Sequence, residues 1–193
     1  MKNHFHKKIF ILRIISIFLC FSFNLTANDQ SEKTPEIIKI IVEGRDNNLK
    51  EWLNNGNKPN AKIGNVPIVL FTTIDKCRYS SLKILLDSGA DPNASAGSLF
   101  YPLLMNAAQQ KDLSCLKLLI ENGAQINIQD KDGNNAYYYT IFSKNYASIE
   151  ILYDNGLNLF HRNNDGLTAI DIAILADKGH IFKKSIRKYT EDN

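Results

Sequence analysis

A repeat of 33 to 34 residues constrains the fold of this chain more than any other feature of its sequence. Residues 82–93 return 34 positions later as residues 116–127, and weaker copies stand at 49–60 and 149–158. The glycines near the ends of these copies fall at positions 56, 89, 123 and 156. Such spacing is typical of stacked repeats, in which each unit buries its apolar face against its neighbours. The chain is therefore predicted to form a repeat solenoid.

Turn and cap residues recur at matching places in the units. A glycine after each apolar run, such as Gly89, suits the left-handed residue that ends a helix. Pro67 and Pro102 suit the first turn of a helix, where the missing amide hydrogen would have had no partner. The Asp-Gly pairs at 132–133 and 165–166 favour tight turns. We expect these turns to project between the units as fingertips.

The last unit carries the most specific motif. Asp165-Gly166 is followed by Thr168-Ala169-Ile170-Asp171-Ile172-Ala173 and then by Lys178-Gly179-His180. This pattern resembles the ankyrin repeat, a unit of about 33 residues with a turn, a Thr-Pro-Leu-His-x-Ala motif and two helices. The resemblance covers roughly residues 34–187. It implies an all-α repeat solenoid of about five helix-turn-helix units with short β-turn fingertips.

We expect the units at about 34–64, 65–98, 99–131, 132–164 and 165–187, with a polar tail at 188–193. The chain departs from the family pattern in two ways. The favoured histidine is replaced by other residues, which implies that its hydrogen bonds within the repeat are absent in the same form. The replacing residues are Val69, Leu104, Tyr138 and Asp171. The segments 67–89 and 102–123 are also longer than 136–156 by two residues and one residue, which predicts small bulges in the earlier helix pairs.

The N-terminus has the layout of a secretory signal peptide. Lys2, Lys7 and Lys8 precede a largely apolar run at 9–23, and the sequence then turns polar. The pattern predicts a signal over residues 1–27, cut after Ala27, and a linker at 28–33. The predicted signal peptide favours a periplasmic or secreted protein. A simple signal peptide in an Ile/Asn/Lys-rich sequence also favours a bacterial protein. An uncleaved anchor is an alternative, as is a lipid anchor on the cysteine at position 20.

Charge gives no argument for nucleic acid as a partner. The full chain has 23 Lys and Arg against 20 Asp and Glu, but four of the basic residues lie in the predicted signal. Without residues 1–27, 19 basic residues face 20 acidic ones, for a net charge of −1. Binding to phosphates requires clustered Lys and Arg. We therefore expect neither nucleic acid nor stable membrane insertion after the signal is cut.

Cys77 and Cys115 are the only cysteines that remain after the predicted signal is removed. They lie in consecutive units, and an oxidising compartment would permit a disulfide between them. The sequence alone does not show that their Cα atoms come within about 7 Å of each other. We favour two separate small apolar residues, with the disulfide as the alternative.

The mature sequence offers little for catalysis or for binding a metal or cofactor. Its only histidines are His161 and His180, and His161 stands where a solvated turn residue is expected. No zinc-ligand spacing or phosphate-binding glycine loop occurs. The stretch 130–135 is similar to a calcium loop, but the position that needs a bidentate Glu is Ile141. We therefore predict no catalytic, cofactor or metal site, and a small hydrolase or ligand-binding protein is the least favoured reading.

The remaining candidate is a concave binding surface for a protein partner. The resemblance implies that the fingertips and first helices line this surface. The expected lining residues are Leu70, Met105, Tyr139 and Ile172 on the helices, and Asn65, Ser98, Lys131 and Asn164 near the tips. The aromatic run 137–139 either packs in the core or contributes to binding, with Tyr139 favoured as exposed. We expect a monomeric, non-enzymatic interaction module, with an inhibitor or immunity-type protein for an enzyme, or an effector delivered to a host cell, as alternatives.

Overall fold

The computed structural model describes residues 35–73, 76–96, 101–143 and 145–175. Its helices are α1 (Glu36–Glu43), α2 (Asp46–Asn54), α3 (Tyr79–Asp87), α4 (Leu103–Gln109), α5 (Ser114–Glu121), α6 (Ala136–Ser143), α7 (Tyr146–Asp154) and α8 (Ala169–Leu175). A 3-10 helix spans Ile68–Thr72, and the strands are β1 (Lys62–Ile63), β2 (Val66–Pro67), β3 (Ser95–Ala96) and β4 (Tyr101–Pro102). The predicted signal peptide, linker and polar tail lie outside the described residues, as does His180.

The helices form two layers, as expected for a stack of helix pairs. In the inner layer α1 packs on the 3-10 helix, α4 on α6, and α6 on α8. In the outer layer α2 packs on α3 and α3 on α5. The core lies between the layers, where Leu85, Leu116, Leu119 and Leu152 are completely buried. Burial of apolar area contributes about 25 cal/mol per Å², so these leucines hold neighbouring units together. The prediction of a helical repeat solenoid is confirmed.

The outer helices end at glycines, as predicted from sequence. Gly89 and Gly123 have φ of 90° and 82°, the left-handed region that a residue with a Cβ rarely adopts. The amide of Ala90 then donates to the Leu85 carbonyl at 2.9 Å, which closes the last turn of α3. The prolines behave differently. Pro67 and Pro102 have extended backbone and precede the 3-10 helix and α4, so the expectation that they occupy the first helical turn is wrong by one residue.

Two fingertips are antiparallel hairpins. Ile63 pairs with Val66 across the first hairpin, and Ala96 pairs with Tyr101 across the second. In the last unit Arg162 and Thr168 form a single bridge. The extra residues of the earlier units lie between the helices of a pair, because the connection from the 3-10 helix to α3 covers residues 73–78. The corresponding connection from α6 to α7 covers only residues 144–145.

Three asparagines in the turns after the outer helices link the first four units; we call Asn60, Asn93 and Asn127 the asparagine ladder. The Asn60 side chain donates to the Gly89 carbonyl at 2.9 Å and accepts from the Asp91 amide at 2.7 Å. Asn93 accepts from the Gln125 amide at 2.8 Å. Asn127 donates to the Gly156 carbonyl and accepts from the Asn158 amide, both at 2.8 Å.

The asparagine ladder shows that the fourth copy of the repeat, residues 149–158, aligns differently with the other copies than the sequence pattern indicates. Asn60, Asn93 and Asn127 each stand four residues after a glycine, whereas Asn158 stands only two residues after Gly156. The equivalent position is occupied by Phe160, whose side chain is 60% exposed. Asn158 uses its side chain locally, because its Oδ1 atom accepts from the Phe160 amide at 3.0 Å. Residues 149–158 therefore align with the other copies only up to the glycine.

Replacing Asn127 by Ala should lower the free energy of unfolding by about 1 kcal/mol, because two hydrogen bonds between units are lost at an exposed site. Gln125 provides a matched control in the same turn, because its side chain is exposed. Gln125→Ala should change stability by less than about 0.5 kcal/mol. Urea denaturation followed by circular dichroism measures both values. Equal effects of the two substitutions would contradict a linking role for the asparagine ladder.

A second set of side-chain bonds joins the units at the connections between paired helices. Arg78 Nε donates to the Val42 carbonyl at 2.8 Å, and Gln110 Nε2 donates to the Thr73 carbonyl at 2.9 Å. Asn145 Nδ2 lies 3.1 Å from the Ala108 carbonyl oxygen and 2.5 Å from that of Gln110. The second and third units are therefore each tied to the preceding unit at the helix connections and to the following unit through the asparagine ladder.

The two cysteines of consecutive units form a disulfide. Cys77 lies in the connection before α3, Cys115 lies in the first turn of α5, and their Cα atoms are 5.6 Å apart. The expectation of two separate apolar residues is therefore wrong. Sequence spacing alone does not show that Cys77, in the connection before α3, lies this close to a residue of the third unit. No helix within the described ranges is long and apolar enough to cross a membrane.

Candidate partner-binding surface

The eight residues expected on the binding surface differ in how far they are exposed in the structure. Leu70, Met105 and Tyr139 are buried, with 2%, 0% and 7% of their surface exposed. The expectation that these three side chains line an open surface is therefore wrong. Ile172 is half-buried. The exposed members lie near the tips and are Asn65, Lys131 and Asn164. Ser98 lies outside the described residues.

Tyr139 is buried because its ring and hydroxyl are used inside the protein. Its ring packs edge-on against Tyr101 with the ring centroids 5.0 Å apart. Its hydroxyl donates a hydrogen bond to Oδ2 of Asp130. Burial, and then the negative charge of Asp130, raise the pKa of Tyr139 far above its usual value. The tyrosine is therefore a neutral donor beneath residues 130–135, the turn at the start of the fourth unit, which we call the fourth fingertip.

Asp130 organises that fingertip from inside. It is 8% exposed, and its Oδ1 atom accepts from the amides of Asp132 and Asn134 at 2.9 and 2.8 Å. Its Oδ2 atom accepts from the Asn134 side chain at 3.0 Å as well as from the Tyr139 hydroxyl. Protein donors therefore occupy both oxygens. These hydrogen bonds stabilise the tight turn at residues 130–135, which agrees with interpreting this stretch as a turn and not as a calcium loop.

The fourth and fifth fingertips are bonded to each other. Asn163 Nδ2 donates to Asn134 Oδ1 at 3.1 Å. The Asn164 amide donates to the Asp132 carbonyl, and the Asn164 side chain donates to the Lys131 carbonyl, both at 3.0 Å. We call residues 130–135 and 163–168 the paired fingertips. Because the connecting bonds come from backbone and short side chains, Lys131 and Asn164 are presented from one rigid support.

His161 supports the same pair of turns. Its Nε2 atom lies 2.7 Å from the Gly133 carbonyl oxygen, so this nitrogen carries the hydrogen and donates. The side chain is half-buried and packs edge-on near Tyr138, with ring centroids 6.5 Å apart. The expected solvated turn residue is therefore a partly buried hydrogen-bond donor. With Nε2 engaged, the imidazole serves as a structural link between the paired fingertips.

Tyr138 and Asp171 replace the histidine of the family motif with other hydrogen bonds. The Tyr138 hydroxyl accepts from the Asn163 amide at 3.1 Å, and burial raises the pKa of Tyr138 to about 12. The Thr168 amide donates to the Asp171 carboxylate at 2.9 Å and the Asp171 amide donates to the Thr168 hydroxyl at 3.1 Å, which closes a capping box at the start of α8. The backbone bond from Thr168 is the main cause of the lowered pKa of Asp171.

A shallow groove of about 380 Å³ lies between the second hairpin and the fourth fingertip. Its lining residues are Ser95, Pro102, Ile128, Gln129, Asp130 and Lys131. Together with the exposed side chains of Asn65, Lys131 and Asn164, this groove forms what we call the fingertip surface. Within the ranges that the structure describes, no group of three or more His, Cys, Asp or Glu residues could hold a metal ion.

Comparisons with known proteins agree with this architecture. A family model described as "Ankyrin repeats (3 copies)" matches residues 104–184, and one described as "Ankyrin repeats (many copies)" matches residues 70–120. Together the two matches span more than half of the chain. They also overlap, as expected for a repeat whose units share one pattern.

Similar proteins come from viruses, bacteria and animals. An ankyrin repeat protein of Acanthamoeba polyphaga mimivirus is 35% identical over 78 residues, which is 40% of this chain and 10% of that protein. A mitochondrial disaggregase of Bos taurus is 25% identical over 79% of this chain and 23% of its own length. An ankyrin repeat-containing protein of Treponema pallidum is 24% identical over 68% of this chain and 44% of its own length. The chain thus spans less than half of each of these relatives.

Proposed function

This chain belongs to the ankyrin-repeat family, and we propose that it is an exported, non-enzymatic module that binds a protein partner through its fingertip surface. Ankyrin repeats are protein interaction modules, and stacked repeats present extended surfaces for this purpose. The observation that carries the proposal is the rigid pairing of the fourth and fifth fingertips beneath exposed Lys131 and Asn164.

Rigidity matters because ordering a loop on binding costs free energy. A surface that is already ordered avoids much of that cost, so more of the contact energy appears as affinity. The paired fingertips are held by Asp130 from inside and by His161 from the side. Their outer side chains are polar and exposed, which suits the rim of a protein interface. Pro102 and Ile128 in the adjacent groove supply apolar area.

Two features support export. The N-terminal sequence has the layout of a signal peptide. The Cys77–Cys115 disulfide is typical of proteins in oxidising compartments, where such bonds form and persist. We expect the tagged protein in the periplasmic or extracellular fraction of the cells that produce it.

A site-specific crosslinking experiment tests the binding surface. A photoreactive amino acid replaces Lys131 in one variant and Lys117 in another, because Lys117 is also an exposed lysine and lies on outer helix α5. We expect a partner to crosslink from position 131 and not from position 117. An inhibitor function would follow if that partner is an enzyme whose activity the purified protein suppresses. Crosslinking to one partner from position 117 but not from 131 would overturn the proposed surface.

A further inference from the structure

The described hydrogen bonds between the second and third units are sparser than those on either side. The asparagine ladder makes two bonds at Asn60 and two at Asn127, but the structure describes only one at Asn93. The same interface has a different residue spacing, because Gly89 and Gly123 stand 34 residues apart whereas the glycine pairs on either side stand 33 apart. The stability of the interface between the second and third units therefore depends more on its other contacts.

The disulfide crosses this same interface. Cys77 lies in the long connection that follows the 3-10 helix, and Thr73 of the same connection accepts from Gln110 of the third unit. Its sulfur also lies 3.1 Å from the Ser114 hydroxyl oxygen. The connection is thus held to the third unit by one covalent bond and a small number of polar contacts.

The second unit is joined more extensively to the first unit. Arg78, adjacent to Cys77, donates to the Val42 carbonyl at 2.8 Å and is 8% exposed. The Ser81 hydroxyl donates to Oδ1 of Asp46 at 2.8 Å, and α3 packs on α2. These bonds add to the two that Asn60 makes. The first two units should therefore respond together when the link to the third unit is weakened.

We propose that the Cys77–Cys115 disulfide is a redox-sensitive latch that couples the first two units to the rest of the stack. Because each unit of a solenoid contacts only its neighbours, a weakened interface lets the units on one side open separately. Reduction then increases local opening of residues 35–96 and leaves the paired fingertips folded. The proposed latch acts within the repeat stack and does not require a bound partner.

The reaction needs a dithiol as reductant. Cys77 is half-exposed whereas Cys115 is completely buried, so a reductant thiolate reaches the sulfur of Cys77. Its attack forms a mixed disulfide, breaks the protein S–S bond and releases Cys115 as a thiolate, which takes a proton. The second thiol of the reductant then attacks the mixed disulfide and releases Cys77. Two electrons pass to the protein, and the reductant leaves as its own disulfide.

Hydrogen exchange tests the latch on protein purified after expression of the full 193-residue chain. Samples with and without dithiothreitol are compared by mass spectrometry. We expect amide exchange to rise about tenfold or more in residues 35–96 on reduction, and to change by less than about twofold in residues 136–160. Removing the reductant and reoxidising the protein should restore the original protection.

The double variant Cys77→Ala/Cys115→Ala is the matched control. It should exchange like the reduced protein, and dithiothreitol should not alter it. If this variant does not fold, the comparison of oxidised and reduced native chain still decides the question. Alkylation of Cys77 and Cys115 without reductant would overturn the proposal, because the bond would be absent. Exchange that is unchanged on reduction, or that rises equally throughout the chain, would also overturn it.

Discussion

Replacing Asp130 by Ala should lower the free energy of unfolding by about 3 kcal/mol, the largest effect that we expect from a single polar residue in this chain. The carboxylate is 8% exposed and accepts hydrogen bonds from two backbone amides, one side-chain amide and one hydroxyl. Alanine leaves these donors without their acceptor. Each buried donor that loses its partner costs about 1 to 3 kcal/mol, although relaxation and water reduce the total.

Asp130→Asn should cost less, because one amide oxygen can still accept from the backbone amides. Asp165→Ala serves as the control for removal of a fingertip carboxylate, since Asp165 is exposed in the adjacent turn. We expect it to cost about 0.5 kcal/mol or less. Urea denaturation of all three variants gives the comparison. A loss at Asp130 no larger than that at Asp165 would show that the carboxylate does not organise the fingertip.

Replacing Gly133 by Ala should lower the free energy of unfolding by about 3 kcal/mol through two separate effects. Gly133 has φ of 77°, where a residue with a Cβ is strained by about 1 to 2 kcal/mol. An added Cβ would also stand 2.5 Å from Oδ1 and 2.9 Å from the amide nitrogen of Asn164. Asn164 must then move, which breaks its bonds to the fourth fingertip.

Gly166 separates the two effects, because it has φ of 72° and open space where a Cβ would stand. Gly166→Ala should therefore cost only the backbone strain, about 1 kcal/mol. The difference between the two variants, about 2 kcal/mol, measures the close approach of the paired fingertips. Thermal and urea denaturation both report it. Equal losses at the two glycines would mean that the paired fingertips are not in contact in solution.

The sequence predicts the fold well because the fold is local and repeated. A period of 33 to 34 residues fixes the number of units, and a glycine at the end of each outer helix marks a conformation that favours this residue. Gly89 and Gly123 adopt that conformation. The apolar faces of the outer helices follow from helical spacing alone.

The binding surface is harder to predict because exposure depends on contacts between units. Tyr139 was expected to be exposed from its place in the repeat, yet its hydroxyl reaches Asp130 and its ring meets Tyr101. Neither partner is marked by any local motif. Lys131 and Asn164 are exposed as expected, because residues at the tips of tight turns project from the stack.

The remaining differences arise from small shifts in register. Asn158 looks like a fourth member of the asparagine ladder, but it stands two residues too early, and Phe160 takes the equivalent place. The disulfide depends on the approach of Cys77 to Cys115 of the next unit, where the two Cα atoms are 5.6 Å apart. The sequence shows the number of residues between the two cysteines, but it does not show that they meet.

The most direct test of the fingertip surface is hydrogen exchange of the protein bound to the partner recovered by crosslinking. If the partner binds the fingertip surface, we expect binding to protect amides at 62–67, 128–135 and 161–167, where the tips and the groove lie. Amides of outer helices α5 and α7 should exchange as they do in the free protein. Protection confined to those outer helices, with the tips unchanged, would contradict the account.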